Sequence, residues 1–467
     1  MINLDLAIHK ARIIPMVEGS HVLKDASIVV EGDTITDLGP SNTISIPRGA
    51  HRIDGSGKIV LPGLINAHSH AAMTLLRGYA DDMKLDEWLN NWIWPLEAKM
   101  TPEDIAVGAR LAAVESALAG STVITSMYWS IVAEGKAIAE VGLRGMLGAP
   151  CVSWRPKESI KEAKEAAREM HGKYDGLLRV AMMPHAPYTV DPELMIKMRE
   201  LGTELNKKYG TPKCPVIMNT HIAETQDDWK NVIKQVEQWE KNGIDTSAIT
   251  ESSSLLDYLC RLGMFKNQET GVADFLAAHC VWLKAKDIQI MQENDVRVVH
   301  NPDSNLKLAS GIAPLPELET AGVTIGLGTD GASSNNTLDM FNSMRLTALL
   351  HKGKTLDPIV FPAERVLQLA TVEGARALRW DQIGTLKPGK RADLITIDFR
   401  KPHLSPLHQE ISHIVYAAHG SDVSETIVNG RIIVENRHVQ TVDVPKLLDE
   451  AERTKDKLLE RIKNSRS

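Results

Sequence analysis

Cysteine is scarce in this chain. Four stand among 467 residues, Cys151, Cys214, Cys260 and Cys280, and no two form a Cys-x-x-Cys pair. A zinc ribbon and a dithiol redox motif are thereby excluded. The cysteine-ligated zinc signature of base-flipping deaminases is missing as well. Buried, reduced thiols are the expected state of all four. Positive charge is not in surplus: 53 Lys and Arg face 60 Asp and Glu, a formal net charge of −7. Nothing in that balance suggests a nucleic-acid or membrane-surface partner. No apolar run approaches the ~18 residues of a membrane-spanning helix. The start, Met1-Ile2-Asn3-Leu4-Asp5, lacks the charged-then-apolar pattern of a leader, so a cytoplasmic protein is expected. With 43% hydrophobic and 24% charged residues, the chain reads as globular and long enough for a large core and two domains.

Both ends carry short alternating segments bounded by turn residues. Ala26–Val30 and Lys58–Leu61 lie near the start; Ala392–Ile397, Glu425–Val428 and Arg431–Val434 lie near the end, with Asn429-Gly430 as a hairpin signal. They predict one small β-sandwich domain from 1–60 plus 382–440. Between them apolar runs alternate with amphipathic helical stretches. The runs are Leu64–His70, Thr122–Met127, Leu143–Ala149, Val180–Pro184, Val216–His221, Phe275–His279, Val296–His300 and Thr324–Asp330. Runs apolar on both faces suit parallel strands, so an α/β fold is predicted, a (β/α)8 TIM barrel over 61–381. Thr101-Pro102-Glu103-Asp104 and Asp191-Pro192-Glu193 are helix starts. The polar stretch 226–271 reads as a helical excursion, and 441–467 as a solvated terminal helix.

Barrel active sites sit at the C-terminal ends of the strands. The first run ends in His68-Ser69-His70, whose alternation sends both imidazoles to one face. The fourth ends in His185, the fifth in His221, the sixth in His279, the seventh in His300 and the eighth in Asp330. Packing explains one terminal histidine; several converging with an aspartate point to a metal. His68, His70, His221 and Asp330 would hold one divalent ion with a position left for water, lowering that water's pKa from ~16 toward ~7. Glu224, three residues after His221, is placed to carry a proton between water and substrate, although a carboxylate there also suits a helix start. His279 and Asp330 would stabilise developing charge. Trp88, Trp92 and Trp94 either wall a ring-binding pocket or serve packing.

These stretches resemble the amidohydrolase superfamily and, within it, the 5-methylthioadenosine/S-adenosylhomocysteine deaminase family. Leu61–His70, Trp94-Pro95-Leu96-Glu97, Pro184–Tyr188, His221–Thr225, His300–Gly311 and Gly328-Thr329-Asp330-Gly331 carry the likeness, which covers nearly the whole chain. The resemblance implies hydrolytic deamination of an adenosine derivative to the inosine analogue, with release of ammonia. It implies one Zn2+ per subunit on His68, His70, His221 and Asp330, and substrate contacts from Glu97, His185, Glu224 and Asp330, with Glu97 on the ribose hydroxyls. The protein partner it implies is a second copy, as a homo-oligomer. Binuclear members place a lysine on strand four; Arg179–Pro187 has none, so one metal is expected.

Two departures bear on substrate. Members of the family often carry Ser-Arg-Gly after strand three, its arginine holding the far end of a long substrate. This chain reads Met146-Leu147-Gly148-Ala149-Pro150-Cys151 there, with Arg155 nearby. An aspartate before Met-Tyr is replaced by Ser126. Short 5′ groups, as in 5′-methylthioadenosine, 5′-deoxyadenosine or adenosine, gain over S-adenosylhomocysteine, whose carboxylate wants an arginine. The alternatives are a related amidohydrolase acting on guanine, cytosine or a chlorotriazine, and a non-catalytic nucleoside-binding module.

Overall fold

The computed structural model describes residues 5–466; most of the stretch on which the leader reading rests, 1–4, lies outside them. Strands from both ends of the chain build one nine-stranded mixed sheet. Its order runs from His438–Val439 through Arg431–Glu435, Val423–Val428 and Leu394–Asp398 to Lys58–Pro62, then Leu6–Ile13, Leu23–Glu31 and Thr34–Pro40, with His51–Asp54 beside Leu6–Ile13. The two ends meet where Leu394–Asp398 pairs antiparallel with Lys58–Pro62. Asn429 and Gly430 both take positive φ, 54° and 74°, as the two-residue hairpin there demands. The sheet fits a β-sandwich domain.

The rest alternates parallel strands with helices. Leu64–Ser69, Ser121–Met127, Arg144–Gly148 and Leu178–Val180 form one parallel sheet; Met218–Ile222, Phe275–His279, Arg297–His300 and Ile325–Leu327 form another. Two runs break in the middle, so Pro150–Cys151 and Met183–Pro184 pair separately. Backbone hydrogen bonds join the sheets at both seams. Asn219 N–H donates to Met182 O (2.9 Å) and His221 N–H to His185 O (3.1 Å) at one; Asp330 N–H donates to His68 O (3.0 Å) at the other. The second seam needs glycine at 328, where a Cβ would lie 2.8 and 2.9 Å from the His68 backbone. Ile65, Val123, Met146, Leu276 and Val299, one from each of five strands, share an apolar cluster with Ala181 at a strand break, and Trp380, just after the helix Val372–Ala377, packs into it.

The helix starts at Thr101 and Asp191 form as their residues predict. Asp104 N–H donates to Thr101 Oγ1 (3.3 Å), and Thr101 N–H returns to Asp104 Oδ2 (2.8 Å). Leu194 N–H donates to Asp191 Oδ1 (2.9 Å). The stretch 226–271 is helical at Asp228–Lys241, Ser247–Thr250 and Leu255–Arg261. Two expectations need correction. Cys151 and Cys280 are buried and all four thiols are free, but Cys214 is only half-buried and Cys260 is exposed; Cys260 sits on an outward turn of a short helix. The terminal helix Val444–Arg466 is not merely solvated: Leu447, Ala451, Leu458 and Ile462 form a buried stripe at helical spacing.

Candidate metal centre and active site

The strand Leu64–Ser69 slips register against its neighbour between Asn66 and Ser69. Such a bulge re-aims side chains. Ile65 and Ala67 join the apolar cluster below, whereas His68 and His70 reach the strand-end mouth and Ser69 turns away to Thr125 O (2.8 Å). At the mouth, His68 Nε2 lies 3.2 Å from His221 Nε2. Asp330 Oδ1 lies 3.6 Å from His68 Nε2 and 3.2 Å from His70 Nε2. Donor atoms of His68, His70 and His221, and again of His68, His279 and Asp330, fall within 4.8 Å of one another. His185 stacks edge-on against His221 at 4.9 Å between ring centroids.

The far sides of these groups are held. His70 Nδ1 donates to Met127 O (2.7 Å), and His279 Nδ1 to Asn305 Oδ1 (2.9 Å). With Nδ1 carrying the proton, each Nε2 offers its lone pair to the centre. Asp330 Oδ2 accepts from the Ser304 and Ser334 hydroxyls at 2.5 and 3.0 Å. Its Oδ1 is buried with no hydrogen-bond donor, a costly state for a carboxylate oxygen. The two triads share His68, and imidazoles gathered beside a carboxylate fit a divalent metal, nitrogen with oxygen suiting zinc. Ala223, His279 and Asp330 take positive φ of 49°, 72° and 62°, strain of about 1–3 kcal/mol each that the surrounding packing must hold.

Burial sets the charges. It pushes the His68, His221 and His279 imidazoles down and His185 to about 3, so these rings are neutral. His70 is the exception: burial lowers it, but the Asp330 carboxylate beside it, with the Met127 carbonyl and Glu97, raises it to about 9, and a metal bound between His70 and Asp330 would take the place of that proton. Asp330 resists burial likewise and is held well below the usual carboxylate range by His70. Glu224 goes the other way: burial, then the charges of Asp330 and Asp228, raise it well above that range. Its carboxylate Oε2 lies 3.7 Å from His279 Nε2. Its backbone N–H donates to Asp228 Oδ2 (2.7 Å), which anchors the turn after the strand.

The centre opens into a cavity lined by Trp88, Trp94, Glu97, Tyr188 and Leu308 among others. Glu97 is buried, and burial raises its carboxyl. Trp129 Nε1–H donates to its Oε2 (3.3 Å), while Oε1 has no partner. Arg155 lies 4.6 Å over the Trp129 ring and does not line the cavity.

Of the residues singled out from sequence, His68, His70, His185, His221, Glu224, His279 and Asp330 come together, and Glu97 joins them across the cavity. His300 does not. Its ring points outward against His351 of the helix Met340–Thr355, 5.5 Å between centroids. Trp88 and Trp94 line the cavity, but Trp92 is 39% exposed and packs on Tyr79. Sequence reasoning missed Tyr128, Trp129, Leu308, Ser304 and Ser334. The first two directly follow Ser126-Met127, and Ser304 lies inside the His300–Gly311 stretch; position beside those stretches was the only signal.

Fold and site together define a metal-dependent hydrolase. Residues 59–433 match the model of the amidohydrolase family. A 5-methylthioadenosine/S-adenosylhomocysteine deaminase of Pelotomaculum thermopropionicum is 40% identical over 98% of this chain and 99% of its own length. A 5′-deoxyadenosine deaminase of Methanosarcina mazei is 38% identical over 98% and 99%. The crystal structure of an adenosine deaminase from Xanthomonas campestris with bound zinc superposes with a TM-score of 0.86 at 32% identity, covering 97% of this chain and 98% of that one. The chain belongs to the amidohydrolase family, on its branch of 5-methylthioadenosine/S-adenosylhomocysteine deaminases, and is a metal-dependent deaminase.

Proposed function

We propose that this enzyme hydrolytically deaminates an adenosine derivative with a short 5′ group, giving the inosine analogue and ammonia. One zinc per chain would be held by His68, His70, His221 and Asp330. The observation that carries the reading is a pair of buried carboxyls on one cavity: Glu224 beside the histidine cluster, and Glu97 across from it. A purine seated between them would present its ring to the first and its sugar to the second.

When bound, the metal would lower the pKa of a water and supply the nucleophile at neutral pH. Glu224, kept protonated by burial, delivers its proton to N1 as the new C6–O bond forms. The carboxylate so made takes a proton from the added oxygen and, with neutral His279 beside it, passes it to the amino nitrogen. The C6–N bond then breaks and ammonia leaves. Asp330, a carboxylate, would accept a hydrogen bond from the added hydroxyl and so orient it. Glu97 accepts from the two ribose hydroxyls, which its free Oε1 is suited to do. His185 contacts the substrate from the strand-four end.

The 5′ end carries the finer assignment. Among the described residues lining the cavity there is no lysine or arginine. Pro150, in the stretch where the family resemblance implies an arginine, lines the cavity, and Arg155 is stacked on Trp129. An amino-acid carboxylate would enter without a cationic partner. For the architecture, we read the two parallel sheets, joined at both seams, as one closed (β/α)8 barrel over 61–381, with 1–60 and 382–440 as the composite domain. Zinc-loaded protein assayed for ammonia release with adenosine, 5′-deoxyadenosine, 5′-methylthioadenosine and S-adenosylhomocysteine tests the reading. The first three should turn over with kcat/KM at least about tenfold above the fourth; activity confined to a chlorotriazine, guanine or cytosine would reject it.

A further inference from the structure

The segment that carries Glu97 cannot stand alone. Between His70 and the helix Pro102–Leu118 it consists of the short turn Ala71–Leu76, a loop, and one unbroken helical run from Leu85 to Glu97 whose middle, Leu89–Ile93, is π-helical. A run of this length is marginal in isolation, and neither Ala71–Leu76 nor the start of the run at Leu85 has a side-chain cap hydrogen bond. Their order must come from what they pack against.

Part of that support comes from the far end of the chain. Leu458 and Ile462 of the helix Val444–Arg466, 1% and 9% exposed, share one apolar cluster with Leu85, Trp88, Leu96 and Tyr128. Leu459 packs on its edge. One turn below Glu97, Arg461 donates Nη1–H to Lys99 O (2.5 Å) and Nη2–H to Asp104 Oδ1 (2.9 Å). It therefore satisfies a carbonyl just past the end of the turn that bears Glu97, where helix geometry leaves acceptors bare. The same guanidinium pins the capping box that begins the next helix.

We propose that the C-terminal helix is the brace that positions Glu97, and that Leu458, Arg461 and Ile462 are positioning residues for recognition of the sugar hydroxyls. The inference rests on the role given above to Glu97. The helix touches none of the groups at the metal centre, so loosening it should weaken hydroxyl recognition and leave C6 chemistry and metal binding in place.

The test uses full-length, zinc-quantified protein with adenosine and 2′,3′-dideoxyadenosine. The readout is the ratio of their kcat/KM values in the parent, in Arg461→Ala, in Arg461→Lys and in Leu458→Ala/Ile462→Ala. The ratio should fall about fivefold in Arg461→Ala and in the double variant, through KM for adenosine, as expected for one hydrogen bond loosened. Kinetics on the dideoxy compound and zinc content should stay within about twofold of the parent, and Arg461→Lys should recover part of the ratio. A ratio unchanged in both variants overturns the proposal, whether activity is intact or lost equally on both substrates. Glu97→Ala separates the two layers. If it abolishes the ratio while the helix variants keep it, only the brace is wrong; if it keeps the ratio, the role of Glu97 falls and the brace with it.

Discussion

His68 Nε2 and His221 Nε2 face each other at 3.2 Å, although the two residues stand 153 positions apart and both rings are driven toward neutrality by burial. Two lone pairs at that distance repel unless one ring donates or a shared cation accepts both. Asp330 Oδ1, buried and without a donor on the same side, favours the cation. Metal loading should therefore stabilise the fold as well as activate it. At metal concentrations ~100 times Kd the gain is about 3 kcal/mol. Differential scanning calorimetry with and without a chelator should show a lower Tm for the stripped protein, restored by Zn2+.

Glu224→Gln keeps size and hydrogen bonding but removes the transferable proton. It should lower kcat by about 10²–10⁴, with zinc content and nucleoside affinity retained. Equal turnover in the variant would remove Glu224 from the proton path. Because Glu224 is raised and acts in its protonated form, the parent's rate should fall as pH climbs through its folded pKa, and that limb should vanish in Glu224→Gln.

Glu97→Ala should raise KM for ribonucleosides and cut kcat/KM by about 10–100-fold, the worth of hydrogen bonds to a charged acceptor. The effect should be small for 2′,3′-dideoxy substrates.

Glu134 predicts a pH effect on stability apart from catalysis. Its carboxyl, buried in the helix Ile131–Val141, bonds the Ser126 hydroxyl at 2.8 Å. Burial raises it from 4.5 to about 7. A carboxyl raised on folding favours the native state while neutral, so its contribution is full below pH 4.5 and drains away between 4.5 and about 7. The span is worth at most about 3 kcal/mol. Urea titrations of Glu134→Gln should show stability flatter with pH across that window, and higher than the parent at pH 8.

Much of this was legible in the residues. The alternation in His68-Ser69-His70, the Thr101–Asp104 box and the Asn429-Gly430 turn each encode local geometry, and each appears as read. Strand ends were legible as places; the direction of a side chain at a strand end was not. His300 ends its strand as His279 does, yet its ring packs outward on His351, since adjacent positions point to opposite faces. Glu97 is an ordinary glutamate by type, and only tertiary burial against Trp129 marks it. The terminal helix reads as charged because its buried stripe, Leu447, Ala451, Leu458 and Ile462, is sparse among Lys, Glu and Arg.

The central claim is that a single metal on His68, His70, His221 and Asp330 is what makes water attack an adenine ring. Elemental analysis of the purified protein, paired with ammonia release from 5′-methylthioadenosine on the same samples, tests it most directly. The account predicts about one zinc per chain, turnover proportional to zinc across partly stripped samples, and neither zinc nor turnover in His221→Ala. Full turnover in protein stripped of metal would contradict it.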